Sequence, residues 1–91
     1  MKRGLPEILA AGGFNARDMA ASLRSAANGL PSLEETLFVH DVADFLLGRD
    51  TYATVDHMRV ELAHLVKIYP EDAIYADALK AIEACAAEVS P

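Results

Sequence analysis

Apolar residues recur along this chain at three- and four-residue spacing, and no stretch alternates apolar and polar between hairpin turns. The first rhythm is that of a helix with one buried face; the second would mark a half-buried strand. Four segments carry the helical rhythm together with boundary signals. In NARDMAASLRSAANG (15–29), Met19, Leu23 and Ala26 share a side. Asn15 is placed to cap, Asp18 stands three residues on, and Asn28–Gly29 offers a left-handed exit. In PSLEETLFVHDVADFLLG (31–48), Ser32 and Glu35 have capping-box spacing and Gly48 marks the stop. In DTYATVDHMRVELAHLVKIY (50–69), Asp50 or Thr51 is the expected cap. Tyr52, Val55, Met58, Leu62, Leu65, Val66 and Tyr69 make its broad apolar face, and Pro70 breaks it. In PEDAIYADALKAIEACAAEV (70–89), Glu71 and Asp72 suit a first turn, and Ile74, Leu79, Ile82, Cys85 and Val89 line one side. PEILAA (6–11), stopped by Gly12–Gly13, predicts one or two further turns. The expectation is an all-α fold: a compact bundle of four main helices with a short extra N-terminal helix, in a single domain over residues 1–91.

The second segment departs from the ordinary amphipathic pattern. Leu33, Leu37, Phe38, Val39, Val42, Phe45, Leu46 and Leu47 cover more than half of its circumference. A surface helix of a bundle needs an apolar stripe only somewhat over about 100° wide. A helix this apolar is either central in the core or shares a face with another chain. Its charged residues, Glu34, Glu35, Asp41 and Asp44, are all acidic. Leu37, Phe38, Val42, Phe45 and Leu46, with Glu34, Asp41 and Asp44 around them, form the candidate partner-binding set. A twofold homodimer is the simplest way for a second chain to cover it, because closed symmetric pairs are the commonest assembly.

Charge narrows the partner. The net charge is −6, but residues 1–30 carry +2 and residues 31–91 carry −8. An acidic body repels phosphate backbones, which disfavours nucleic acid, and attracts basic surfaces. No apolar run approaches the roughly 20 residues of a membrane span. At the N-terminus, Pro6–Glu7 interrupts the only apolar patch, which disfavours a signal peptide. The single cysteine, Cys85, forms no intramolecular disulfide and fits a reducing, cytoplasmic setting.

Candidate chemistry concentrates in VDHMRVELAHLVKIYP (55–70). His57, Glu61 and His64 fall on one stripe at i, i+4 and i+7, read on a helical wheel as lying opposite the apolar face. The Glu61-x-x-His64 pair has the spacing used by di-iron bundles, which makes the stripe a weak metal candidate. Those sites point inward and need a second such motif. No cofactor is expected. AHLVK (63–67) resembles the A-H-x-L-K-G core of histidine phosphotransfer domains, which are four-helix bundles. Ala63, His64 and Lys67 match; Val66 replaces the leucine and Ile68 the glycine. That resemblance implies His64 as a phospho-acceptor. VADFLLGRDTYATVDHM loosely resembles a helix-turn-helix, which implies DNA binding. Its second helix would begin with acids rather than the Arg or Lys that reach phosphates and guanines. There is no phosphate-cradling glycine loop and no nucleophile elbow.

The expected function is therefore a small non-catalytic protein–protein interaction module: an adaptor, inhibitor or chaperone-like regulator of a larger protein. The alternatives are a helix-turn-helix regulator and a phosphotransfer-like carrier through His64.

Overall fold

The computed structural model describes residue 10 and residues 12–89. These form four α-helices: α1 (Ala16–Ala27), α2 (Leu33–Leu46), α3 (Val55–Ile68) and α4 (Ala73–Val89). The all-α expectation holds, and no strand occurs among the described residues. The short helix expected over residues 6–11 lies, apart from Ala10, outside them.

Helix starts are set by side chains that take orphan backbone donors. Asn15 Oδ1 accepts the Asp18 N–H at 3.0 Å. Ser32 Oγ accepts the Glu35 N–H at 3.4 Å. Thr54 Oγ1 accepts the His57 N–H at 3.1 Å, so Thr54, not Asp50 or Thr51, caps α3. The delay has a visible cause. Asp41 Oδ2 on α2 accepts the Ala53 N–H at 3.1 Å, and Thr51 Oγ1 donates to the Ala53 carbonyl at 3.2 Å. These bonds fix residues 51–53 as a loop, and the helix begins only past them.

The exits divide. Gly48 leaves α2 at φ +83°, with the Arg49 N–H returning to the Asp44 carbonyl at 3.0 Å. That conformation is cheap only for glycine. Gly29, in contrast, is not left-handed, contrary to the sequence expectation. The chain leaves α1 through successive tightened bonds, Asn28 to Ser25, Gly29 to Ala26 and Leu30 to Ala27. These satisfy the last carbonyls without a change of hand. Glu71 and Asp72 precede α4 rather than occupying its first turn.

One apolar cluster takes in every buried residue that the structure describes, and none of them is charged. Its largest members are Tyr75, Leu23, Leu46, Met58, Leu62 and Ile82. Alanines fill the rest: Ala20, Ala27, Ala43, Ala78 and Ala81 are all buried. On α4, Ile82 and Cys85 are inside as expected, Ile74 and Leu79 are half-buried, and the side chain of Val89 lies outside the described set. Tyr75 joins the core unforeseen.

The helices pack as two hairpins, α1 with α2 and α3 with α4, and α1 also lies against α4. The α2 and α3 backbones make no comparable approach. The two hairpins are thus closed on the α1–α4 side and splayed on the α2–α3 side. That splay positions the candidate site.

Candidate functional site

Two depressions lie along the splayed side. The larger, about 810 Å³, runs between α2 and the loop entering α3. Its apolar lining is Leu37, Phe38, Tyr52 and Ala53, and its acids are Glu34, Asp41 and Asp44. The smaller, about 340 Å³, continues toward the start of α2, and the two share Glu34, Phe38 and His57. It adds Glu35, Glu61 and His64. No Lys or Arg lines either one among the described residues.

The eight residues of the predicted partner-binding set are divided by this geometry. Leu37, Phe38, Glu34, Asp41 and Asp44 come together at the larger depression. Leu37 is 60% exposed, and Leu33 one turn before it is 73% exposed. Phe45 is half-buried against the core. Val42 and Leu46 are fully buried and cannot meet a partner at the surface. With Val39 and Ala43 they form the stripe that α2 turns inward. The over-apolar helix therefore has two faces, one inside the bundle and one outside it.

Tyr52 is fully exposed at the groove. The sequence rhythm placed it on the buried face of α3. It leaves that face because the Asp41–Ala53 bond ends the helical register before reaching it. His40, Ala53 and Thr54 also line the groove and carried no sequence signal.

An ion-pair chain fastens one edge. Arg24 on α1 pairs with Asp44 and donates to His40 Nδ1 at 2.9 Å, and Arg49 reaches Asp44 at 2.9 Å. Partial burial pushes the Asp44 carboxyl up, but the hydrogen bonds and charges of Arg49 and Arg24 outweigh it and hold it below its ordinary value. Asp44 is thus compensated within the chain, and Asp41 is occupied by the loop.

The groove's other acids have no cation beside them among the described residues. The ion pairs among the described residues are Arg24–Asp44, Arg49–Asp44 and Arg59–Asp56, and none reaches Glu34, Glu35 or Glu61. Glu35 makes only half of a capping box: Ser32 takes its N–H, while its Oε2 is buried without a hydrogen-bond partner. The Tyr75 hydroxyl is buried and unpartnered too. Burial first, then the charge and hydrogen bonding of Glu35, raises the Tyr69 hydroxyl; burial, then Asp72, Tyr69 and Glu35, raise that of Tyr75. Burial likewise raises the Cys85 thiol and keeps it protonated.

The histidine stripe is not opposite the core, as the wheel reading had it. His57, Glu61 and His64 each stand one residue before Met58, Leu62 and Leu65, which are buried. One residue is about 100° of helix, so the stripe flanks the core and borders α2. The His57 ring meets Phe38 edge-on, centroids 5.6 Å apart at 86°. No cluster of three or more His, Cys, Asp or Glu is placed to hold a metal among the described residues. His64 is exposed, and α3 ends at Ile68, four residues beyond it. Histidine phosphotransfer helices continue past that point. No protein-family model, curated protein or solved structure matches this chain.

Proposed function

We propose that this chain is a non-catalytic interaction module that docks a larger protein in the groove between α2 and α3. The observation that carries the reading is an open apolar groove with Leu37 and Tyr52 exposed beside it. Large apolar side chains gathered at a concave surface and rimmed by polar ones mark interaction sites. Scattered single ones carry no such meaning. The ion pairs and the Asp41–Ala53 bond hold the groove's edge and loop in place, which lowers the ordering cost of binding. Membrane-spanning is not part of this reading, since no described helix is long and apolar enough to cross a membrane.

The test uses a photoreactive amino acid at position 37, with position 60 on the outer side of α3 as control. In the native host, position 37 is expected to trap a distinct protein that position 60 does not. That protein, purified, should bind the full chain and lose binding on Leu37→Gln with Tyr52→Ser. No adduct specific to position 37 would overturn the reading.

A further inference from the structure

The groove carries more information than its apolar floor. It has length, because α2 and α3 are each 14 residues long, or about 21 Å at 1.5 Å per residue. It also has one sign of charge. Glu34, Glu35 and Glu61 lie along it without a cation among the described residues, and Glu35 presents a buried oxygen with no partner. A partly desolvated carboxylate with no cation beside it is stabilised by an incoming one. No strand edge exists among the described residues to accept an extended peptide by backbone pairing. A trough walled by two helices accepts the apolar edge of a third.

We propose that the occupant of this groove is a basic amphipathic helix of the partner protein. Its apolar edge rests on Leu37, Phe38 and Tyr52, and its Lys or Arg side chains stand over Glu34, Glu35 and Glu61. The inference rests on the docking reading above. A second copy of this chain is the poorer occupant, because its own acidic rim would meet this one.

The probes are four labelled synthetic peptides of about 15 residues, matched to the length of the trough. Three share one helical apolar stripe and carry Lys, Gln or Glu on the polar face. The fourth is the Lys peptide scrambled to destroy the stripe. Fluorescence anisotropy with the full chain reads the affinity. The Lys-faced helix is expected to bind at least about tenfold more tightly than the Gln-faced one, with the Glu-faced and scrambled peptides weaker still. High salt should weaken the Lys-faced helix about tenfold. Leu37→Gln with Tyr52→Ser should abolish the preference for the amphipathic over the scrambled peptide. Glu34→Gln with Glu61→Gln should flatten the salt dependence while leaving the circular dichroism unchanged.

Equal binding of the scrambled and amphipathic Lys peptides would reduce the effect to bulk charge and overturn the proposal. So would equal binding of the Gln- or Glu-faced helix. Light scattering that shows a dimer, dispersed by Leu37→Gln with Tyr52→Ser, would assign the groove to a second copy instead. A specific adduct at position 37 with no Lys-helix binding sinks only the choice of occupant. Failure of the adduct as well sinks the docking reading itself.

Discussion

The two seams between the hairpins teach opposite lessons. Helices α1 and α4 approach each other, and the buried residues of those two helices include Ala20, Ala27, Ala78 and Ala81. Small side chains let backbones come close and leave little to expose. Helices α2 and α3 stand apart, and Phe38, His57 and Tyr52 lie where they separate. A Phe–His edge contact spans the gap without filling it. The closed seam joins two helices rich in buried alanine, and the open one leaves Leu37, Tyr52 and the groove's acids at the surface. A closed seam stabilises; an open seam leaves surface for something else.

The largest expected effects lie in the closed part. Leu23 on α1 is fully buried, and Leu23→Ala should cost about 3 kcal/mol in denaturant unfolding. The comparison would break if the loss were under about 1 kcal/mol, since the core would then be loose throughout. Next comes overpacking. Ala81→Leu adds volume at a fully buried position and should cost about 2 kcal/mol. Ala63→Leu, on the exposed side of α3, should change stability by less than about 0.5 kcal/mol. Equal costs for the two would mean that α4 is no more tightly held than the surface of α3.

How much of this was legible beforehand follows from the kind of interaction involved. Caps within three residues, such as Asn15 and Ser32, are local and could be read. Thr54 could not, because its position depends on Asp41, twelve residues away, reaching the Ala53 N–H. The excess apolarity of α2 was visible, and so was the acidic company of Leu37 and Phe38. The division of that excess was not. Val42 and Leu46 go inward and Leu37 outward because of where α1 and α3 sit, and sequence periodicity does not contain that. The histidine stripe failed for a simpler reason. The wheel counted Tyr52, Val55, Val66 and Tyr69 equally with Met58, Leu62 and Leu65, but only the last three are buried, and their direction lies about 100° from the stripe.

Midway in size is the buried tyrosine that the rhythm overlooked. The Tyr75 hydroxyl has no partner, so its burial is uncompensated. Tyr75→Phe keeps the ring and removes the orphan group, and should stabilise by about 1 kcal/mol in thermal or denaturant melts. A loss instead would show that the hydroxyl is satisfied in solution.

Smaller still is the edge pair that frames the groove. Asp44 has its carboxyl held below the ordinary 3.8, so folding favours its charged form. The stabilisation is complete above that ordinary value and is lost as pH falls through the folded-state value. Asp44→Asn should therefore cost less than about 1 kcal/mol at neutral pH, because the pair is partly exposed. The gap between the two proteins should close as acidification carries the pH below the ordinary value and through the lowered one. A gap that persists unchanged in acid would mean that the loss is one of packing rather than charge.

The smallest expected change in stability belongs to the most consequential residue of the open seam. Leu37 is mostly exposed, and its neighbours at the surface are acids and the groove. Glutamine has nearly the helix propensity of leucine, so Leu37→Gln removes the apolar contact surface without weakening α2 itself. Its melting curve should overlay that of the parent, within about 0.5 kcal/mol. The same substitution at Leu46, which is fully buried about two and a half turns along, would bury an amide among apolar side chains and should cost several-fold more. A selection that keeps leucine at position 46 acts through folding. One that keeps it at position 37 must act through something outside the folded monomer. If Leu37→Gln proved as costly as the Leu46 change, then position 37 would be core in solution and the α2–α3 seam closed. The contrast between the two seams would then disappear, and the groove with it.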